Sequence, residues 1–229
     1  MMNADVQTQP PPAATPAWLM LRTLVVIAVI SGLLVVVAYQ TTLPLIADKQ
    51  RILTERLVFQ VLPGAATKRD FVVTAERHLE PASAGVVGDP VYAAYDAAGR
   101  LVGLAITGTG AGYAGPVRVM FAYDPGCRCI TGSKVLKSNE TPGFGDKLDT
   151  DPAFLENFKA LDASLNAEGT ALANAIVTVK HGTKTDPWQI DAITGATVSS
   201  RAMGRAANQA AQRAIPAIQR ELATLSQPN

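Results

Sequence analysis

The sequence has almost no net charge, little aromatic content and few cysteines, and each shortage excludes a class of function. Its 20 lysines and arginines nearly balance its 19 aspartates and glutamates, for a formal net charge of +1. Aromatic residues make up only 6% of the chain, and no basic run is interleaved with them, so we expect no nucleic-acid partner. Two cysteines are too few for a disulfide-rich scaffold or for a four-cysteine metal cluster.

The two cysteines, Cys127 and Cys129, form a Cys-x-Cys pair. Such a pair could supply half of a metal site, but His78 and His181 lie far away in the sequence and lack ligand spacing. We therefore expect no metal site. Three interpretations of the pair remain open, namely a local disulfide, a bond to another subunit and two inert thiols.

Charged residues are also absent from Thr23 to Ala47, and Leu24 to Ala38 is almost wholly aliphatic. About 20 such residues in a helix cross the hydrocarbon core of a bilayer, so we predict a transmembrane helix over 18–47. The alternative is a cleaved signal peptide, but the segment before the apolar run has only Arg22 as a basic residue, and no clear Ala-x-Ala site follows. We predict a disordered tail over 1–17, where proline and small or polar residues prevail.

The orientation of this helix does not follow from charge. Arg22 precedes the apolar segment, but Lys49, Arg51 and Arg56 follow it closely, so the distribution of basic residues does not favour a cytoplasmic N-terminus. A helical apolar spacing continues over 48–63, which predicts a stalk helix, or equally the start of the globular core.

The remainder, 64–229, is predicted to be one α+β domain with a mainly antiparallel sheet. Apolar stretches separated by turn residues predict two hairpins, and longer periodic segments predict helices. Pro216 is expected to end or kink the last helix. The predicted strands are 90–95, 101–107, 116–123, 130–137 and 174–179, and the predicted helices are 150–161 and the segment that begins near Val198.

The ten residues from Asp191 to Ser200 read as a loop that leads into the last helix. Gly195 and Ala196 allow the backbone to approach a ligand closely, and four hydroxyl residues crowd the helix start. The first turn of a helix has unpaired N–H groups and the positive end of the helix dipole, so it stabilises a phosphate. A plain helix cap would use the same residue types, which leaves a purely structural interpretation open.

The segment Asp191-x-x-Thr194-Gly195-Ala196-Thr197 resembles the flavinylation motif of proteins that carry FMN on a threonine. The resemblance implies that a flavin transferase joins FMN through its phosphate to Thr197. We expect Thr197 at the N-cap, Thr194 bracing the loop, and Ser200 among the residues around the cofactor.

Two further segments resemble signatures of the same family, and they supply the other expected cofactor contacts. The glycines Gly110, Gly112 and Gly115 also fit a dinucleotide fingerprint, but a strand rather than a helix is predicted to follow them, so we reject that interpretation. The contacts expected from the two segments are Gly112 and Tyr113 in the first, and Glu140, Thr141, Pro142, Gly143, Phe144, Gly145 and Lys147 in the second.

Together the three segments resemble the G-subunit family of Rnf-type ion-translocating ferredoxin:NAD oxidoreductases and, more distantly, the C subunits of sodium-translocating NADH:quinone reductases. The resemblance implies a flavoprotein anchored in the lipid of the bacterial inner membrane, with its C-terminal domain extracytoplasmic. It implies electron relay alongside subunits A, B, C, D and E, and we find no side-chain catalyst.

Two alternatives remain open from the sequence. One is a stand-alone membrane-anchored FMN reductase or sensor module. The other is a binding or assembly subunit without flavin, in which Thr197 only caps a helix.

Overall fold

The computed structural model describes residues 16–83, 85–141, 143 and 145–227. Its first element is one helix, α1 (Ala17–Val61), of 45 residues with Pro44 inside it. The helix includes residues from both ranges predicted as transmembrane helix and stalk, and it ends at Val61, two residues before the predicted end of the stalk. The predicted tail over 1–17 lies outside the described residues except at its end, where Ala17 already belongs to α1.

The chain divides into two compact units, residues 1–51 and residues 52–229. In the first unit, Ala17–Ile46 has a mean hydropathy of 2.6 over its most apolar window, and none of that window is buried within the protein. Thirty helical residues extend about 45 Å, which exceeds the hydrocarbon thickness of about 30 Å. A helix that is apolar on all sides and not covered by protein is suited to lipid. The predicted N-terminal apolar helix is confirmed.

The second unit is built on a seven-stranded sheet in which every pairing is antiparallel, as predicted. The strand order is β2-β1-β3-β4-β5-β6-β7. The strands are β1 (Thr67–Val73), β2 (Leu79–Pro81), β3 (Asp89–Tyr95), β4 (Leu101–Ala111), β5 (Pro116–Asp124), β6 (Cys129–Lys137) and β7 (Leu161–Asp162).

Five helical segments and a second, two-stranded sheet complete this unit. They are α2 (Lys147–Thr150), α3 (Pro152–Leu155), a 3₁₀ turn (Glu156–Phe158), β8 (Val177–Val179), β9 (Gln189–Asp191), α4 (Thr197–Arg220) and α5 (Leu222–Leu225). Strands β8 and β9 pair in parallel.

Helix α4 covers one face of the large sheet. It lies so close to β4 that a Cβ on Gly108 would fall 2.1 Å from the carbonyl oxygen of Ala206, and a Cβ on Gly110 would fall 1.9 Å from that of Ala202. Phe121 belongs to the core between this helix and the sheet. Small residues on both elements therefore set the distance between helix and sheet.

Residues at the end of α1 cover part of the opposite face. Val58, Val61 and Leu62 form a second buried cluster with side chains of the central strands, among them Met120 and Ala122. On β5, Phe121 faces α4 while its neighbours Met120 and Ala122 face the other side of the sheet, because the pleat directs successive side chains to opposite faces. Residues 52–61 therefore belong to the globular unit.

Several predicted elements differ in extent, and β4 runs to Ala111, four residues beyond the end predicted at 107. The helix predicted over 150–161 is instead two short segments, α3 and the 3₁₀ turn. The Asp151 carboxylate caps α3 by accepting a hydrogen bond from the amide of Ala153 at 2.9 Å. Leu161, the predicted end of the helix, belongs to β7 because it pairs with Ile130. The last helix continues through Pro216 instead of ending there.

The strand predicted over 174–179 begins only at Val177, because the Asn208 side chain of α4 accepts the amide hydrogen of Ile176 at 3.0 Å. Its partner is the parallel strand β9. That pairing leads the chain directly into the Asp191 to Ser200 segment.

The turn between β5 and β6 holds Cys127, and Cys129 is the first residue of β6. Cys127 and Cys129 are joined by a disulfide, with their Cα atoms 5.2 Å apart. Of the interpretations left open by the sequence, the structure therefore has the local disulfide.

Candidate cofactor site

The Asp191 to Ser200 segment connects β9 to the start of α4. Gly195 adopts φ +84°, a left-handed conformation that favours glycine, and Thr197 is the first residue of the helix. The N-cap is Ala196, which offers no side-chain cap. The N-cap expected at Thr197 is thus one residue too late, and the hydroxyl of Thr197 is not used to close the first turn.

The hydroxyl of Ser200 braces the loop, a role the sequence had suggested for Thr194. Ser200 is fully buried, its Oγ accepts a hydrogen bond from the amide of Ile193 at 3.0 Å, and it donates to the carbonyl of Ala196 at 2.9 Å. Thr194 is exposed. Ser200 therefore stabilises the loop from the protein interior and does not line the cavity at the start of α4.

Glu140 joins the three signature segments. One carboxylate oxygen accepts a hydrogen bond from the amide of Ala114 at 3.0 Å, and the other accepts one from the hydroxyl of Ser199. A Cβ on Gly112 would fall 2.4 Å from the Glu140 carboxylate, and one on Gly145 would fall 1.9 Å from its Cβ. The two glycines are needed because the Glu140 side chain fills the space beside them.

The attachment cavity is the name we give to a cavity of about 440 Å³ at the start of α4. Tyr113, 79% exposed, and Val198, 47% exposed, supply its apolar rim. Its lining consists of Tyr113, Glu140, Thr141, Gly195, Ala196, Thr197, Val198 and Ser199.

The four hydroxyl residues of the segment are sorted by this geometry. Thr194 does not line the attachment cavity, Ser200 is buried beneath it, and the Ser199 hydroxyl is bound to Glu140. Thr197 lines the cavity and is half-buried, and its hydroxyl makes no hydrogen bond within the part of the chain that the structure describes. Among the four, only Thr197 combines access to the cavity with a hydroxyl that is not engaged.

A second cavity, of about 250 Å³, lies on the other side of the segment. It contains three of the residues expected at the cofactor, Lys147, Asp191 and Thr194, together with His181 and Asp151. Lys147 therefore lines the second cavity, whereas Glu140 lines the attachment cavity. Gly143 has φ +85° and open space at its Cβ position, whereas the expected contacts Pro142 and Phe144 lie outside the described residues.

Asn157 and His181 were not identified from the sequence, yet both hold Asp191. Asn157 is 6% exposed, and its side-chain oxygen accepts from the Asp191 amide at 3.0 Å while its amide donates to the Asp191 carbonyl at 3.3 Å. Nδ1 of His181 lies 3.4 Å from the Asp191 carboxylate and 3.0 Å from the Ala192 carbonyl. No sequence signal marks either residue, because the Asn157 contact joins positions 34 residues apart and the His181 contacts depend on how β8 and β9 pair.

A family model described as the FMN-binding domain matches residues 112–212. The match begins at Gly112 in the first signature, includes the second, and ends within α4 beyond Ser200. Every residue expected at the cofactor falls inside it.

Named relatives match over much of the chain. The G subunit of the ion-translocating oxidoreductase complex of Methanosarcina acetivorans is 31% identical over 193 residues, which cover 79% of this chain and 85% of that protein. The G subunit of the Na⁺-translocating ferredoxin:NAD⁺ oxidoreductase complex of Acetobacterium woodii is 35% identical over 115 residues, which cover 50% of each protein.

A solved structure shares the fold. The C subunit of the Na⁺-translocating NADH-quinone reductase from Parabacteroides distasonis superimposes with a TM-score of 0.55 at 18% identity, over 80% of this chain and 96% of that chain. This likeness concerns the fold alone.

Proposed function

The chain belongs to the family of G subunits of ion-translocating oxidoreductase complexes, and on that premise we propose that it carries FMN joined through its phosphate to Thr197. It is a membrane-anchored flavoprotein subunit of an ion-translocating ferredoxin:NAD oxidoreductase. The covalent bond at Thr197 is the finer part of the proposal. The observation that carries it is that Thr197 lines the attachment cavity and that its hydroxyl makes no hydrogen bond among the described residues.

The residues around the attachment cavity fit FMN. A cavity of about 440 Å³ is within the range of small-molecule sites. Its apolar rim at Tyr113 and Val198 suits an aromatic ring, while Gly195 lets the backbone approach the phosphate without a side chain between them.

The start of α4 suits the phosphate. The first N–H groups of a helix have no partner within it, and the helix dipole places positive potential there. A phosphodiester on Thr197, the first residue of this 24-residue helix, keeps one negative charge at that position. The dipole contributes about 0.3–1 kcal/mol to such a placement.

Flavin supplies one- or two-electron transfer when it is bound. The chain's own residues attach and orient it: Thr197 supplies the bond, and Glu140 holds the Gly112 loop and the helix start together. No side chain here is assigned a catalytic step, and relay between neighbouring carriers is the role that remains.

The experiment that tests the attachment is expression of full-length Thr197→Val with the flavin transferase, compared with Thr194→Val as the matched control. Thr197→Val keeps the side-chain shape and removes the nucleophile, so flavin fluorescence that survives denaturation should be lost. Thr194→Val and Ser199→Ala should retain it. Fluorescent, flavin-bearing Thr197→Val protein, checked by intact mass, would place the bond elsewhere.

We further propose that the C-terminal domain is extracytoplasmic. The Cys127–Cys129 disulfide supports this side of the membrane, because disulfides form and persist in oxidising compartments and are rare in the cytosol. A reporter enzyme that folds only outside the cytoplasm, fused after residue 229, should be active. Activity of a cytoplasm-only reporter at the same position would contradict the proposed topology.

The expected partners are subunits A, B, C, D and E and a flavin transferase for maturation. The names of the relatives support membership in a complex of several subunits. Affinity purification from detergent-solubilised membranes should recover these subunits together. Recovery of the chain alone, with reductase activity of its own, would favour the stand-alone module instead.

A further inference from the structure

The disulfide between Cys127 and Cys129 joins residues that the hairpin turn already holds together. Asp124 pairs with Cys129 across the strands, and its carboxylate accepts a hydrogen bond from the amide of Gly126 at 2.7 Å. The carbonyl of Arg128 accepts another from the amide of Ala163, beside β7, at 3.0 Å. The turn is therefore closed by backbone and side-chain contacts that do not need the bond.

A disulfide stabilises a fold mainly by restricting the unfolded chain, and the restriction grows with the number of residues enclosed. Cys127 and Cys129 are separated by Arg128 alone. This is close to the smallest loop that a disulfide can close, so its contribution to folding is correspondingly small. A purely structural role explains the bond poorly.

The two cysteines are unequally exposed. Cys127 is exposed at the tip of the turn, whereas Cys129 is 7% exposed where β6 begins. Arg128 between them is exposed and adopts φ +57°, a conformation that L side chains rarely take. Residue exposure therefore favours attack of an incoming thiolate at Cys127 over Cys129. The exposed guanidinium of Arg128 is a neighbouring cation, and such a cation favours the thiolate form of a cysteine.

We propose that Cys127–Cys129 is a thiol–disulfide exchange site that accepts two electrons from an extracytoplasmic protein dithiol. A thiolate of the dithiol attacks Sγ of Cys127, the Cys127–Cys129 bond breaks, and Cys129 leaves as a thiolate that takes up a proton. The second thiol of the donor then attacks the donor's first sulfur atom, the one bound to Cys127 in the mixed disulfide. Cys127 is released and protonated, and the donor leaves as a disulfide, so two electrons and two protons have passed to this chain.

This site is separate from the attachment cavity. One end of strand β5, Pro116, lies beside the Gly112 loop, and the other end, Asp124, pairs with Cys129. The eight residue steps between these two ends span about 27 Å. The exchange therefore involves an external dithiol and not the flavin, and it should occur equally in Thr197→Val protein. A failure of the flavin proposal would leave it untouched, whereas the extracytoplasmic location of the donor rests on the proposed topology.

The first test equilibrates the full-length chain in detergent with mixtures of reduced and oxidised glutathione. Free thiols are counted by alkylation and intact mass, and circular dichroism reports the fold. The bond should open in the folded protein within the range that reduces exposed, exchangeable disulfides. A bond that stays closed until the protein unfolds would overturn the proposal.

The second test compares Cys129→Ser with its matched variant Cys127→Ser. Oxidised glutathione should form a mixed disulfide with Cys127 in the first variant about tenfold faster or more than with Cys129 in the second, because attack depends on access. Equal rates would contradict the assignment of Cys127 as the attacked residue. A large fall in unfolding temperature for the Cys127→Ser, Cys129→Ser double variant would show a structural bond and overturn the proposal as well.

Discussion

The side-chain amide of Asn157 pairs with the backbone of Asp191, accepting from its N–H at 3.0 Å and donating to its carbonyl at 3.3 Å. The same amide donates to the Phe154 carbonyl at 2.9 Å, and its oxygen accepts from Lys184 at 3.2 Å. Asn157, a buried residue in the 3₁₀ turn, thus holds the Asp191 end of the Asp191 to Ser200 segment.

Asn157→Ala should therefore lower the fraction of chains that acquire covalent flavin. Removing the side chain leaves the partly buried N–H and carbonyl of Asp191 without these partners, at a cost of about 1–3 kcal/mol. The measurement is flavin absorbance per chain after expression with the transferase, together with the unfolding midpoint. The control is Asn174→Ala. Asn174 is half-buried, and its side chain makes no hydrogen bond within the described residues. Equal flavin content in both variants would remove Asn157 from this role.

The Glu140–Ser199 hydrogen bond should show energetic coupling. A bond to a charged acceptor contributes about 1.5–3 kcal/mol, and neither residue is exposed. Denaturant unfolding of Glu140→Ala, Ser199→Ala and the double variant gives the coupling energy, which we expect to exceed about 1 kcal/mol. Thr141→Ala paired with Ser199→Ala is the reference cycle and should show additive effects. Additivity in the Glu140 cycle would mean that the carboxylate does not hold the helix start.

Gly110→Ala should destabilise the globular unit because α4 leaves no room for a side chain. The added Cβ would lie 1.9 Å from the Ala202 carbonyl oxygen, and overpacking of this kind costs about 1–3 kcal/mol. Gly132→Ala is the matched control, a strand glycine whose added Cβ would make ordinary contact with Val61 at 3.5 Å. Thermal unfolding followed by circular dichroism should show a lower midpoint for the first variant and little change for the second. The reverse order would mean that α4 does not approach the sheet this closely.

Stability should fall at alkaline pH, in part through Tyr123. Burial raises the pKa of this fully buried phenol above its ordinary value, against the opposing effect of the hydrogen bond that Gln219 donates at 2.7 Å. Because the folded pKa is the higher one, the contribution is complete below the unfolded value of about 10 and is lost as pH rises through the folded pKa. Burial raises the pKa values of Tyr92 and Tyr95 in the same direction.

Tyr123→Phe should therefore lose less stability than the parent chain between about pH 9 and pH 11. Denaturant unfolding at several pH values measures the two slopes. Identical slopes for Tyr123→Phe and the parent would show that this phenol does not titrate on unfolding.

The elements that depend on local sequence pattern alone were predicted correctly. Turn residues such as Asp96 and Gly99 between apolar runs predicted the central hairpins, and the uncharged segment before Asp48 predicted the apolar helix; both are confirmed. Strands β1, β2, β7 and β9 were not predicted, and the strand predicted over 174–179 corresponds to β8 only from Val177. Strands of two or three residues, such as β2, β7 and β9, have too few positions for alternation to be recognised, and the first half of β1 is polar or charged.

The site was predictable as a set of segments but not as a geometry. Signature resemblance brought Glu140 and Thr197 to one place, and the structure puts them on the same cavity. It could not reveal that Lys147 faces a different cavity, that Ser200 points inward, or that Asn157 holds Asp191. These depend on side-chain direction and long-range chain reversal, which residue types alone do not specify.

The close contact between α4 and the β4 glycines also has a kinetic consequence for the cofactor. A segment exchanges its amide hydrogens at the rate of the opening that exposes it, and helix α4 cannot detach without separating the main core. The first paired amide of the helix is that of Ser200, which donates to the Ala196 carbonyl at 2.9 Å, and the Ser200 hydroxyl donates to the same carbonyl. Amides from Ser200 onward should therefore be among the slowest to exchange, whereas the amide of Thr197, ahead of this bond, should exchange faster. The residue proposed to carry FMN thus begins a helix that opens only with the core.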